Sequence, residues 1–227
     1  LHTGYIDGNI ITANADSDDT IVIDGGRITG AIFTGDGTDE VTVQGEGVEL
    51  GKGIHAGGEG TAHLTFAHDD EIVLDDGIEG WAVSGFNLVD IDSGRLVLDG
   101  YGIHTAGEEG TVNVAGGAVL ATTGEGAHVA AAEVNIDGTL DIGLGGFFDA
   151  TGDVSFGGDS LFFTRVQSAT AGVVSGNTVT FAEGATIFAD VSGGIEAVVG
   201  EDILIASAAQ ENGVTDHGAV VEDNIFL

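Results

Sequence analysis

Short apolar–x–apolar triplets recur along this chain at nearly even spacing, and that period constrains the fold more than any other feature. They are Ile21-Val22-Ile23, Val41-Thr42-Val43, Leu64-Thr65-Phe66, Val89-Asp90-Ile91, Val112-Asn113-Val114, Val134-Asn135-Ile136, Val154-Ser155-Phe156, Val179-Thr180-Phe181 and Ile203-Leu204-Ile205. Successive starts lie 20 to 25 residues apart, close to 23 on average. Second triplets, such as Val48-Glu49-Leu50, Leu96-Val97-Leu98 and Leu140-Asp141-Ile142, follow their anchors by about six residues. Third triplets, Ile54-His55-Ala56, Ile103-His104-Thr105 and Ala127-His128-Val129, follow later again. Alternating side chains bounded by Gly, Asp, Asn or Thr are the pattern of short strands and turns. Gly is 41 of 227 residues, far above the usual ~7 % and too frequent for an amphipathic helix to persist.

Three short strands per repeat predict an all-β fold, a single-stranded parallel β-helix (solenoid) of about nine coils of roughly 23 residues. A coil of that size cannot bury its own apolar residues, so coils stack about 4.8 Å apart into a prism on the order of 40 Å long. The expected division is residues 1–178 as β-helix coils and 179–227 as the last coils and C-terminal segment of the same continuous domain.

The phrase "GKGIHAGGEGT" at Gly51 is written again as "GYGIHTAGEEGT" at Gly100 and more loosely as "GEGAHV" at Gly124. In a solenoid this repetition rebuilds one corner on different coils. Alternation points His55, His104 and His128 outward. His104 and His128 are expected on adjacent coils, about 5 Å apart, with His55 two coils from His104. The intervening "GWAVSG" puts Ala82 in the histidine's place. Two alternatives follow: a transition metal shared by His104 and His128 with help from Glu108 or Glu125, or a solvent-facing ladder of small polar residues.

Thirty-eight acidic residues face four basic ones, Arg27, Lys52, Arg95 and Arg165, for a formal net charge of −34. Nucleic acid and anionic membrane are excluded as partners, because their phosphates need cations. Over the expected length this charge approaches the line density of duplex DNA, so a saline or calcium-rich exterior is the natural setting. No apolar run is long enough to span a bilayer as a helix. The opening "LHTGYIDGN" has no basic n-region, so the chain reads as a mature or excised segment. Zero Cys removes disulfides and thiolate sites, and zero Pro removes slow isomerisation. Both absences suit a chain that crosses a narrow pore unfolded.

Two stretches resemble a known family. "VIDGGRITGAIFTGDGTDEVTVQG" is similar to the Gly-rich coils of Gram-negative autotransporter passenger domains. "NTVTFAEGATIFADVSGGIEAVVGEDILIASAAQENGVTDHGAVVEDNIFL" is similar to a passenger's last coils and C-terminal stabilising segment, through Phe181 to Gly184, Gly200 to Ala206 and Val221 to Leu227. The resemblance implies a right-handed parallel β-helix, export across two membranes, an extracellular or outer-membrane-surface location and a β-barrel following Leu227. It supplies no catalytic residues.

Several acidic stretches are candidate cation sites. "GDGTDEV", from Gly35, half-matches the calcium-binding nonapeptide through Gly35, Gly37, Asp39 and Val41, with Asp36 beside it; "GGDSL", from Gly157, is a poorer echo. "HDDE", His68 to Glu71, places Asp69, Asp70 and Glu71 between two strands with Asp75 and Asp76 following, and "DSDD", Asp16 to Asp19, does the same near the start. Clustered loop carboxylates suit Ca²⁺, which takes six to eight oxygens; the reading set against it, and preferred, is structural corners and solvated acidic turns. Phe147-Phe148 and Phe162-Phe163 each place one ring inward; an outward ring is either a contact patch or, as expected, covered by "TRVQSATAGVVSGN".

Many parallel β-helices process polysaccharides, so an enzyme is the rival reading. Four cations do not line a groove for uronates, and one Trp and two Tyr offer little stacking surface for a hydrolase cleft. No G-x-S-x-G elbow is present. The expectation is a non-enzymatic secreted or cell-surface structural protein. It would mediate adhesion, biofilm matrix or filament assembly by self-association or by binding a surface or glycan ligand. No cofactor is required, with Ca²⁺ as the ion its turns suit. The alternatives are a β-helical lyase or glycoside hydrolase, or a receptor-binding adhesin.

Overall fold

The computed structural model describes residues 4–12, 17–57, 60–107, 109–123, 126–167, 170–191 and 203–223. These residues contain no helix; they form a sixteen-stranded and a nine-stranded sheet. Pairing is parallel throughout, apart from a hairpin between Leu161–Gln167 and Thr170–Ala171 and one isolated bridge, Ile78 with Trp81. Neighbouring strands come from successive repeats, so the chain winds as a parallel β-solenoid. Eight complete turns start at Thr20, Gly37, Gly60, Leu88, Thr111, Glu133, Asp153 and Val179; they are numbered 1 to 8 below. Partial turns flank them, with Tyr5–Ile6 and Ile10–Ile11 before and Val214–Asp216 and Val220–Asp223 after.

The anchors form the inner row of the first side. Val41, Leu64, Val89, Val112, Val134, Val154 and Val179 stack in register, all fully buried. On the second side Leu96, Leu120, Leu140, Phe162 and Ile187 do the same, and on the third Ile32, Ile54, Val83, Ile103 and Val129. One core cluster runs from Ile23 to Ile187. A lone turn would lose roughly 1–2 kcal/mol of backbone entropy per residue, more than six or so inner side chains return at about 1.5–3 kcal/mol each. Stacking is therefore what makes any turn stable. Toward the end of the rod the core turns aromatic: Phe156 and Phe181 stack at 4.6 Å, with Phe162 5.7 Å from Phe156. The inner row then ends at Asp216, opposite Phe181. N–H groups of Ala219 and Gly218 donate to its carboxylate and hold its pKa below the usual range.

The structure corrects the expected count of nine coils. The ninth triplet does not belong to the first side: the Ile205 carbonyl accepts the N–H of Val174, and Ala206 pairs with Val174 on the third side. Val214–Asp216 is the strand that continues the anchor row above Val179–Phe181. Apolar alternation is common to all three sides, so even spacing alone cannot say which side a triplet occupies.

The strands are also less uniformly short than expected. In turns 1 to 4, Thr20–Ile28, Gly37–Leu50, Gly60–Leu74 and Leu88–Leu98 run unbroken around the corner between first and second sides. From turn 5 the two sides carry separate strands, beginning with Thr111–Val114 and Val119–Thr122. The unbroken corners bend at bulges beside glycines. Gly94 takes a φ of 75°, and its missing Cβ leaves room for the ring of His68 from the preceding turn.

Candidate functional site

The proposed cation ligands fall in three separate places. Asp36 and Asp39 occupy the corner between third and first sides. Asp39 is buried, and its Oδ1 accepts the Asp19 N–H at 3.0 Å, while Oδ2 has no hydrogen-bond partner. Its register neighbour two turns on, Asn87, makes the same bond to the Ala62 N–H. This is the work of a corner side chain that satisfies a backbone donor of the preceding turn.

Asp69, Asp70 and Glu71 lie at the bend between first and second sides. Asp70 Oδ2 accepts the Gly47 N–H at 2.8 Å, and Glu71 pairs with Arg95 at 3.1 Å. His104 and His128 lie on the third side. Among the described residues, no three His, Cys, Asp or Glu side chains converge as a group able to hold a metal ion. Glu108, Glu125 and Asp16 lie outside the described residues.

The histidines depart from their expected register. Ile103 pairs with Val129, so His104 stands opposite Ala130 and His128 opposite Asp149. Eight residues separate His104 from its next anchor and six separate His128 from its own, which shifts one ring two places along the strand. His55 is two turns from His104 as expected, but Ser84, not Ala82, stands between them. His55 meets Ser84 in an unbroken register, and a register irregularity between Gly102 and Ile103 brings His104 to the same residue. His55 is also not a solvent-facing rung, being 6 % exposed. Its Nε2–H donates to the Lys52 carbonyl at 3.1 Å, and its Nδ1 accepts from Ser84 Oγ at 2.8 Å. Burial lowers its pKa, opposed by the Lys52 carbonyl. The same holds for His68, whose Nδ1–H donates to the Asp70 carbonyl and whose buried Nε2 has no partner.

Two polar networks run along the outside. His63 Nε2 contacts Asp90 Oδ2 at 2.8 Å, Asn113 donates to Asp90, and Asn135 donates to Asn113. Thr65 Oγ1 also approaches His63, but at the same Nε2, 3.3 Å away. A nucleophile–base–acid relay needs its two partners on opposite ring nitrogens, so this ladder is not one. On the second side Asp141 receives Arg95 and Arg165, each at 2.7 Å. Arg165 also lies over Phe163, which stacks on Phe188 at 5.4 Å. The outward Phe163 ring is thus partly covered, as expected; the outward Phe147 packs instead on His128 at 5.0 Å.

The third side differs from the other two in charge. Its nine strands read II, IF, IH, WAVS, GIH, AHVA, FFDA, VVSG and ASA, with Asp149 as their one acidic residue and no Lys or Arg. Instead it gathers Trp81, His104, His128 and Phe147. Trp81 stacks on His104 with ring centroids 4.9 Å apart. It lies down on the rod because Gly102 in the next turn has no side chain; a Cβ there would come within 2.8 Å of the indole. Asp149 accepts from Ser175 Oγ at 2.6 Å and contacts His128 Nδ1 at 3.2 Å. Beside His104 a shallow groove of about 350 Å³ is floored by Thr105, Ala130, Ala132 and Thr151. A larger groove of about 570 Å³ on the second side is lined by Arg27, Glu49, Glu71, Asp75 and Asp76. Two of its carboxylates are already engaged, Glu49 by Arg27 and Glu71 by Arg95.

No single one of Trp81, Phe147 and the histidines marks this face in the sequence; its signal there is the absence of acidic residues from "IH", "WAVS", "GIH" and "AHVA". Comparison of the chain with protein-family models, curated proteins and solved structures finds no match.

Proposed function

We propose that this chain is a non-catalytic rod of a secreted or cell-surface layer, acting in adhesion or matrix assembly through the acid-poor third side. The observation that carries this reading is the segregation of charge. In a molecule of net charge −34, one sheet of nine strands holds a single carboxylate. Contiguous low-charge surface is how soluble proteins build contact faces, and this one carries the half-buried rings of Trp81 and Phe147; like charge elsewhere keeps rods apart until cations screen it. In the larger second-side groove two of the four carboxylates are held by arginines, Glu49 by Arg27 and Glu71 by Arg95, which fits a scaffold better than a hydrolase. The resemblance to autotransporter passengers supports export to a bacterial surface as part of the same proposal.

Electron microscopy and sedimentation of the purified chain, with millimolar Ca²⁺ or with EDTA at matched ionic strength, test the assembly. Lateral or end-to-end association with calcium and dispersal by EDTA are expected. Dispersed rods in both, together with no retention on bacterial or abiotic surfaces, would overturn it. Release of reducing ends from a polysaccharide would replace it with an enzyme.

A further inference from the structure

We propose that the third side binds an uncharged glycan chain laid along the rod axis, with Trp81 as stacking platform and Asp149, His128, Ser175 and His104 as partners for its hydroxyls. This rests on the scaffold reading above and names the partner. The groups occur once per turn: Trp81 in turn 3, His104 in turn 4, His128 in turn 5, Phe147 and Asp149 in turn 6, and Ser175 in turn 7. Four inter-turn steps of about 4.8 Å make a track of roughly 19 Å. A ligand matching it is linear and periodic, with one ring per step.

The chemistry of the track selects among such polymers. Its strands, in turns 3 to 7, carry no cation: Lys52 lies ahead of Ile54–His55 in turn 2, Arg27 is paired with Glu49, and both Arg95 and Arg165 are drawn to Asp141 on the second side. Uronates, sulfated glycans and phosphate polymers therefore have nothing to meet their charge. What the track offers is a half-exposed indole and Phe147 ring for apolar C–H faces, and acceptors for hydroxyls. Asp149 is 51 % exposed on its side chain. It uses one acceptor site on each oxygen within the protein, and a carboxylate has about four. His128, 62 % exposed, turns Nδ1 to Asp149, which leaves Nε2 toward solvent.

A second copy of the chain suits the track less well. Asp75, Asp76, Glu79 and Asp99 line the corner where chains enter the third side, just ahead of Trp81–Ser84 and Gly102–His104. Two rods placed face to face would bring these rims together, whereas a neutral glycan meets no such repulsion.

Trp81 is the one tryptophan of the chain, so its emission reports from this face alone. Titration with cello-, chito-, laminari- and mannohexaose, with polygalacturonate as anionic control, should give a saturable emission change with at least one neutral hexaose and none with the control. Asp149→Asn and Phe147→Ala, with unchanged circular dichroism, should each weaken that binding about tenfold, as loss of a charged hydrogen bond or a ring contact does. Trp81→Phe, read by calorimetry, should weaken it as well. No response to any of the four hexaoses, or equal response to polygalacturonate, overturns the proposal. So does an emission change that follows protein concentration alone with dimers in sedimentation, which would make the face a self-interface. Failure here with calcium-dependent association intact removes the glycan and leaves the scaffold standing.

Discussion

Replacing Asp141 by Asn sets two electrostatic effects of opposite sign against each other. Asp141 belongs to turn 6, and its side chain is only 9 % exposed. Arg95 reaches it from turn 4 across the small Ala121 of turn 5, and Arg165 reaches it from turn 7. One carboxylate thus ties four consecutive turns. Removing it breaks two charge-assisted bonds of 2.7 Å, each worth about 1.5–3 kcal/mol when shielded. The arginine side chains are 34 % and 42 % exposed. Arg95 keeps Glu71 and Arg165 keeps the Phe163 ring, so part of each bond's value is returned by water and the remaining partners. A net loss of about 2–3 kcal/mol follows. Against it stands relief of self-repulsion, since the variant drops one of the 38 acidic charges. Those charges are mostly farther apart than the ~8 Å Debye length at physiological salt, so relief is a fraction of a kcal/mol. The bridge should win. Urea melts should show the lower midpoint, and thermal melts a fall of about 4–12 °C at 2–4 °C per kcal/mol. A coupling energy of at least about 1 kcal/mol between Asp141→Asn and Arg165→Gln should appear in a double-mutant cycle. An Asp141→Asn protein as stable as its parent at 0.15 M salt, or more so, would refute this weighting and show that repulsion governs the rod.

Two further predictions follow from buried groups. Burial lowers the pKa of His55 and His68, so in the folded chain they resist protonation while the unfolded chain takes up protons below about pH 6.5. Stability is therefore complete above that value and declines as pH falls toward the lowered folded values, by at most about 1.4 kcal/mol per pH unit for each ring. Thermal melts from pH 7.5 to 5.5 should show this, with a shallower slope in His68→Leu; an unchanged slope would refute the assignment. Phe156→Ala, which empties the stack with Phe181 and Phe162, should cost about 3–5 kcal/mol. Amide exchange should then open turns 6 to 8 before turns 2 to 4, since each turn is supported mainly by its neighbours; uniform loss of protection would count against that independence.

The inner surface of the rod is legible in the sequence because alternation and a 20-to-25-residue repeat mark the same residues twice. Val112, Leu140 and Val129 are all assigned inward by parity alone, and all are buried. Parity cannot detect a slip of two residues. That is how His104 and His128, both outward as expected, came to face Ala130 and Asp149 instead of each other. Outer contacts are less legible still: Arg95 and Asp141 are 46 residues apart, and nothing in a period of ~23 says that Ala121 leaves the passage between them open. His55 is buried by Phe33, Ser84 and the Lys52 backbone, which come from three different strands or corners.

The acidic composition has a structural use beyond solubility. Each outer carboxylate can accept from the turn above or below, and many do. Asp90 takes the Asn113 amide, Asp99 the Thr123 hydroxyl, and Asp153 both Asn177 and Thr178, at 2.6 to 2.8 Å. These bonds join residues 23 to 25 apart, one turn of the rod. A carboxylate is an acceptor only, so a stack of them must be interleaved with hydroxyls, amides and backbone N–H groups, and Thr, Asn, Ser and Gly are what the neighbouring positions hold. Cations are unnecessary to this scheme, which is how four suffice. The third side is built differently. Its strands hold one carboxylate, Asp149, and that one is shared with His128 and Ser175.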